Sequence, residues 1–178
     1  IHDHYMRLIG FYKQKDVLEI LSLEGDERVI DIGGGTGYVA DYISRHCAEV
    51  YVLDESPKML ERARRRGSLK TVLGDALHTG FEDGIFDVVV MTDVLHHIGA
   101  QDSLMKEAHR ILRSGGKLLV HDFDLARKTT KVQSFLESLV FERVYFQTLQ
   151  YACDLIVKTG FEVVEQLTRG HWYMLLGE

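Results

Sequence analysis

Val29-Ile30-Asp31-Ile32-Gly33-Gly34-Gly35-Thr36-Gly37 begins as a strand and ends as a turn. Val29, Ile30 and Ile32 have the apolar character of a parallel strand covered on both faces. Four of the next five residues are glycine, and Tyr38 to Cys47 then carries Val39, Ala40 and Ile43 at the spacing of a helix. A turn this rich in glycine lets backbone approach a ligand closely. Cβ atoms at Gly33, Gly35 or Gly37 are expected to fill the space a ligand would take. The start of the helix adds N–H groups with no partner inside it. The stretch therefore predicts a nucleotide-like ligand at the carboxyl end of the first strand of an open α/β sheet.

Spacing narrows the ligand. The dinucleotide fingerprint G-x-G-x-x-G requires glycine where Tyr38 stands. The glycines fall instead at 33, 35 and 37, with Asp31 two residues ahead of the first. D-x-G-x-G-x-G at a strand end resembles motif I of the class I S-adenosylmethionine (SAM)-dependent methyltransferases, in their small-molecule, type 11-like group. The resemblance implies that Gly33, Gly34, Gly35 and Gly37 lie against the amino-acid part of SAM and that Asp31 helps hold its ammonium.

Later motifs fall in step. Residues 48–53 read as a second strand ending at Asp54, where an acid accepts from ribose hydroxyls in nucleotide-binding sheets. Ser56-Pro57 reads as a cap and first helical residue, followed by Met59, Leu60 and Ala63 on an inner face. D-x-S-P-x-M-L resembles the same family just after motif I, which brings Glu55 and Met59 into the implied cofactor site. Arg62, Arg64, Arg65 and Arg66 read as a solvated face near a helix carboxyl end. Residues 69–73 form a third strand, and the following Gly74-Asp75-Ala76 resembles the family's adenine contact, although Gly-Asp is also ordinary turn chemistry. Phe86 to Met91 is a nearly all-apolar fourth strand. With Thr92 and Val94-Leu95-His96-His97-Ile98 it resembles motif IV, whose loop is implied to lie beside the methyl-bearing sulfur. The N-P-P-Y sequence of amide and nucleobase methyltransferases is missing.

The outer parts of the chain are read from pattern. Residues 4–22 predict one or two helices within a helical segment 1–26, packed on the sheet or, through Tyr5 and Tyr12, folded over the cofactor. Asp102 or Ser103 is expected to cap a helix bearing Leu104, Met105, Ala108 and Ile111. Leu112 to Val120 reads as a helix stop, a tight glycine turn and a fifth strand ending in His121-Asp122-Phe123-Asp124. Residues 125–158 predict one or two helices whose aromatic residues, among them Phe135, Tyr145, Phe146 and Tyr151, form core or roof an acceptor pocket. Gly160-Phe161 introduces a sixth strand, and residues 171–176 an antiparallel seventh inserted beside the fifth. The expected fold is a Rossmann-like, doubly wound α/β domain spanning 1–178. Its mostly parallel seven-stranded sheet has order 3-2-1-4-5-7-6, with helices on both faces.

Composition bounds the rest. The 178 residues suit one domain with a substantial core. With 21 basic and 27 acidic side chains the net charge is −6, which argues against a nucleic-acid substrate. No apolar run approaches a membrane span, and a cytoplasmic monomer or homodimer is expected. Cys47 and Cys153 read as free thiols, a disulfide between them being the lesser reading.

The implied reaction is in-line methyl transfer from SAM, leaving S-adenosylhomocysteine (SAH), to a small, partly apolar acceptor. Positioning does much of the work in such a displacement, and an oxygen acceptor calls for a base such as histidine. His97 and His121 are the candidates, ahead of His96, with Asp122 or Asp124 able to orient one of them. No metal is expected, a site at His121-Asp122-x-Asp124 being the lesser reading. Two other readings stand beside the enzyme. One is a catalytically silent SAM-binding scaffold, disfavoured by the intact acids. The other is a nicotinamide dehydrogenase, disfavoured by Tyr38.

Overall fold

A computed structural model describes residues 14–138 and 143–178. In chain order these form α1 (Gln14–Leu21), β1 (Arg28–Ile32), α2 (Tyr38–Ile43), β2 (Glu49–Asp54), α3 (Pro57–Arg64), β3 (Lys70–Leu73) and β4 (Phe86–Thr92). A short 3₁₀ turn (Leu95–His97), α4 (Gln101–Ile111), β5 (Leu112–Phe123), α5 (Lys128–Ser138), α6 (Leu149–Lys158), β6 (Val163–Arg169) and β7 (Trp172–Gly177) follow. Tyr5 and Tyr12, and Leu139 to Phe141 of the expected aromatic segment, lie outside the described residues.

The sheet has the expected order β3-β2-β1-β4-β5-β7-β6. Strands β1 to β5 pair in parallel, and β7 runs antiparallel to both β5 and β6. Alternation along each strand divides the core between the two faces. Val29, Val52 and Val90 pack with Val17 and Ile20 of α1, Ile43 of α2 and Leu60 of α3. Ile30, Leu53 and Met91 pack with Leu104 and Met105 of α4 and Leu155 of α6. This leaves the carboxyl ends of β1 to β4 at one rim of the sheet.

Four local expectations change. Helix α2 stops at Ile43, not Cys47, with Ser44 as its carboxyl cap and the Ser44 hydroxyl donating back to the Asp41 carbonyl at 2.9 Å. Ala100 precedes α4 in place of a side-chain cap. Asp102 is engaged instead with Lys158 of α6 at 2.7 Å. The glycine turn before the fifth strand is a wide bulge inside β5: Leu112 pairs with Phe86, Lys117 with Val88, and the residues between swing out. Gly115 takes the positive φ of 71° that this excursion needs, and Arg113 pairs with Asp87 across it. Phe135 is 64% exposed, so it belongs to neither core nor cleft. Ser56 caps α3 ahead of Pro57 as expected, and both cysteines are free.

The connection after β3 is fastened to α4. Glu107 accepts from the Thr79 N–H at 2.9 Å and the Thr79 hydroxyl at 2.6 Å, and it pairs with Arg110. Arg110 in turn donates to the Phe81 carbonyl at 2.9 Å. The Arg110 guanidinium holds the Glu107 carboxyl down to about 2. Glu107→Ala should cost about 1–3 kcal/mol in urea unfolding, because it strands the Thr79 donors.

Candidate functional site

A cleft of about 1030 Å³ opens at the carboxyl ends of β1 to β4. Asp31, Gly33, Gly34, Gly35, Asp54, Glu55, Met59, Asp75, Ala76, Thr92 and His97 of the expected site all line it. Gly37 and His121 do not.

The glycine turn is sewn to β2. The N–H groups of Gly33 and Gly34 both donate to the Leu53 carbonyl, at 2.8 and 3.3 Å, and the Gly35 N–H donates to an Asp54 carboxylate oxygen at 2.9 Å. The glycines have different reasons to be there. A Cβ on Gly33 would run into the Val94 side chain, and one on Gly37 would stand 2.6 Å from Leu69 Cδ1. Contrary to expectation, those two glycines keep protein packing close instead of clearing ligand space. At Gly35 a Cβ would meet nothing nearer than 3.9 Å, so this is the glycine whose open side is the cleft.

The acids are held in different ways. Asp54 Oδ2 accepts from Gly35 and Oδ1 accepts from the Ser56 N–H at 2.8 Å, which fixes the carboxylate plane at the cleft wall. Asp75 Oδ1 accepts from the Leu77 N–H at 2.8 Å, so this residue both caps its turn and lines the cleft. Asp31 is 1% exposed, and among the described residues its Oδ1 has no hydrogen-bond partner. Burial, reinforced by the Asp54 charge, pushes the Asp31 carboxyl up to about 8. Arg66 departs from the solvated face expected of it. Its Nε donates to the Thr36 carbonyl at 2.7 Å and its guanidinium lies 5.3 Å from the Tyr38 ring centre, clamping the outer side of the turn.

The histidines separate. His97 lines the cleft next to Ile98. His96 is buried, stacks on Phe146 with ring centres 4.2 Å apart, and has Nδ1 2.7 Å from Asp122 Oδ1. Asp122 thus does orient a histidine, as expected of it. Burial pushes the Asp122 carboxyl up, but His96 and the N–H groups of Phe123 and His96 more than reverse this and hold it low. His121 is a correction: its ring packs edge-on to Trp172 at 5.1 Å, and burial lowers its pKa to about 3. A base that is neutral and covered cannot reach a substrate in the cleft. Asp124 is used locally, accepting from the N–H groups of Ala126 and Leu149. The one metal-like grouping among the described residues is Asp93, His96 and Asp122, not His121-Asp122-x-Asp124. The aromatic roof supplies Tyr145 to the cleft, while Phe146 goes to the core.

Sequence reasoning missed Asp93, Gly99 and Arg143, which also line the cleft. Asp93 stands at a φ of 62°, unusual for a residue with a side chain. No periodicity announces such a position.

Comparison with known proteins agrees with this fold. The pattern of the family described as "Methyltransferase domain" matches residues 30–120. The chain is 31% identical over 116 residues to a ubiquinone/menaquinone biosynthesis C-methyltransferase of Dinoroseobacter shibae, covering 60% of this chain and 46% of that protein. It thus spans about half the length of the curated relatives it matches. An SAM-dependent methyltransferase from Thermotoga maritima superposes with a TM-score of 0.81 at 22% identity, over 99% of this chain and 93% of that one. Phosphoethanolamine N-methyltransferase 2 of Haemonchus contortus, in complex with SAM, superposes with a TM-score of 0.79 at 18% identity, over 93% and 51%.

The buried Asp31 carries a stability cost with a definite sign. Its folded pKa of about 8 lies above its ordinary value of 3.8, so the stability linked to its proton is fully present below that value. It is lost as the pH rises through about 8. Asp31→Asn should raise the melting temperature of ligand-free protein at pH 8 by at least roughly 2–4 °C. The gain should shrink at pH 5.5 in the same scanning calorimetry.

Proposed function

This chain belongs to the methyltransferase domain family, and on that footing we propose that it binds S-adenosylmethionine in the cleft and transfers the methyl group to a small, partly apolar acceptor. Asp31 carries the reading. A buried carboxylate with an oxygen lacking a partner, at the wall of a cleft, is costly when alone and is offset by a cation. The α-ammonium of the cofactor is such a cation. Asp54 keeps free lone pairs beyond those taken by Gly35 and Ser56, which suits a ribose diol. Asp75 has a second oxygen for an exocyclic amine, with Ala76 beside it in the cleft wall. Glu55, Met59 and Thr92 complete that half of the cleft.

Bound there, the cofactor supplies a methyl on a sulfonium and leaves as the neutral thioether SAH. The chain's own task is then to hold the acceptor in line and keep water out. Ile98, Val94 and Tyr145 give the acceptor side an apolar wall. His97 is the histidine on that wall, and it takes the proton when the acceptor atom is an oxygen that must lose one. The net charge of −6 and the carboxylates around the cleft favour a small acceptor over a nucleic-acid strand. No described helix is long and apolar enough to cross a membrane.

Calorimetric titration tests this directly. SAM and SAH should bind in the micromolar range and NAD should not bind. Asp54→Ala should weaken SAH binding by about 1–3 kcal/mol. Unchanged affinity in that variant would overturn the ribose contact, and absence of SAM and SAH binding would overturn the reading as a whole.

A further inference from the structure

The cleft is electrically lopsided. Asp31, Asp54, Glu55, Asp75 and Asp93 contribute carboxylates to its wall, and among the described residues Arg143 is the only basic side chain that is always charged there. Four of those acids lie at the ends of β1, β2 and β3, the half assigned above to the cofactor. Arg143 enters from elsewhere in the chain.

The segment carrying it is built against the other half. The Tyr145 N–H donates to the His96 carbonyl at 2.6 Å, and Gln101 Nε2 donates to the carbonyls of both Leu95 and Tyr145, at 2.9 and 3.1 Å. These bonds tie residues 143–146 to the turn after β4. The Tyr145 ring fills the space beside Gly99, where a Cβ would stand 2.8 Å from its Cζ. Arg143, Tyr145 and His97 therefore share the β4 side of the cleft.

Several other arginines of this surface are matched by acids, Arg28 by Glu49, Arg65 by Glu61, Arg110 by Glu107 and Arg113 by Asp87, while Arg64 engages the Thr71 hydroxyl. Among the described residues no acid is paired with Arg143. A planar guanidinium meets carboxylate and phosphate oxygens with two parallel donors. An anion entering this cleft is repelled by the acids of the cofactor half and attracted at one place.

Resting on the methyl-transfer reading, we propose that the acceptor is an acid, a carboxylate or phosphate monoester on a partly apolar body. Arg143 binds its anionic group beside Tyr145, and this fixes which atom of the acceptor faces His97 and the methyl. Arg143 is a specificity-determining residue, and a neutral analogue of the same body loses the anchor.

The test uses SAH-saturated protein titrated with phenyl phosphate, benzoate and benzyl alcohol as probes. At least one of the two anions should bind about tenfold or more tightly than the alcohol. Tighter phenyl phosphate marks a phosphate monoester, and tighter benzoate a carboxylic acid. Arg143→Gln should abolish the preference while leaving SAH affinity within about twofold, and Arg143→Lys should restore part of it. Normal SAH binding with equal affinity for the three probes, or a preference that survives in Arg143→Gln, would overturn the proposal and leave the methyl-transfer reading standing. Failure of SAH to bind would instead overturn that reading and this inference with it.

Discussion

Three backbone N–H groups in the turn after β1 all point at the end of β2. Two meet the Leu53 carbonyl and one meets the Asp54 carboxylate. Only a chain that reverses within a few residues can present consecutive N–H groups this way, and Gly33 and Gly35 supply the positive φ the reversal uses. The rim of the cleft follows from it. Asp31 and Asp54 are held close enough to feel each other's charge, Gly35 is left with an open side, and α2 starts from Gly37 at the angle that packs Ile43 on the sheet. Arg66 closes the arrangement from outside by holding the Thr36 carbonyl.

Two buried aspartates show how differently one environment can be handled. Asp122 is encircled by donors, with the His96 ring and two N–H groups around it, and it stays ionised in the interior. Asp31 at similar burial has an oxygen that meets no donor among the described residues. The first is a structural strut that keeps the 3₁₀ turn after β4 against the end of β5. The second is a cost held in the ligand-free fold, relieved by a proton or by a cation from outside. Satisfied polar groups stabilise the frame, and the Asp31 oxygen at the cleft wall is the one the proposed ammonium would meet.

Much of this was legible in the sequence, and the reason is physical. Motifs anchored to strand ends survive translation into three dimensions because a strand end in a parallel sheet has one address. Asp31, Asp54, Asp75 and Thr92 each close a strand or begin the residues after it, and each reached the cleft. Features that depend on what covers a residue were not legible. His121 also ends a strand run, but Trp172, some fifty residues later in the chain, packs against it. The Gly115-Gly116 pair reads as a turn, yet Arg113 and Asp87 hold the chain against the sheet as a bulge. Asp102 looks like a helix cap until Lys158 engages it from another helix. Arg143 has no local pattern at all. The bonds of Tyr145 to His96 and Gln101 hold its segment beside the cleft.

The placement of β7 between β5 and β6 sets an order of assembly on a growing chain. Ribosomes deliver β6 before β7, so β6 emerges with no strand to join: its sheet partner is β7, and β5 is not its neighbour. Until β7 appears, β5 keeps an unpaired edge bearing Leu118, Leu119 and Val120. Strands β1 to β4 need nothing from that late hairpin for their own pairing. On that order of synthesis, β1 to β4 can be in register while the β5 edge is still open. An open apolar edge of that kind can pair with a strand of another chain before the native partner arrives.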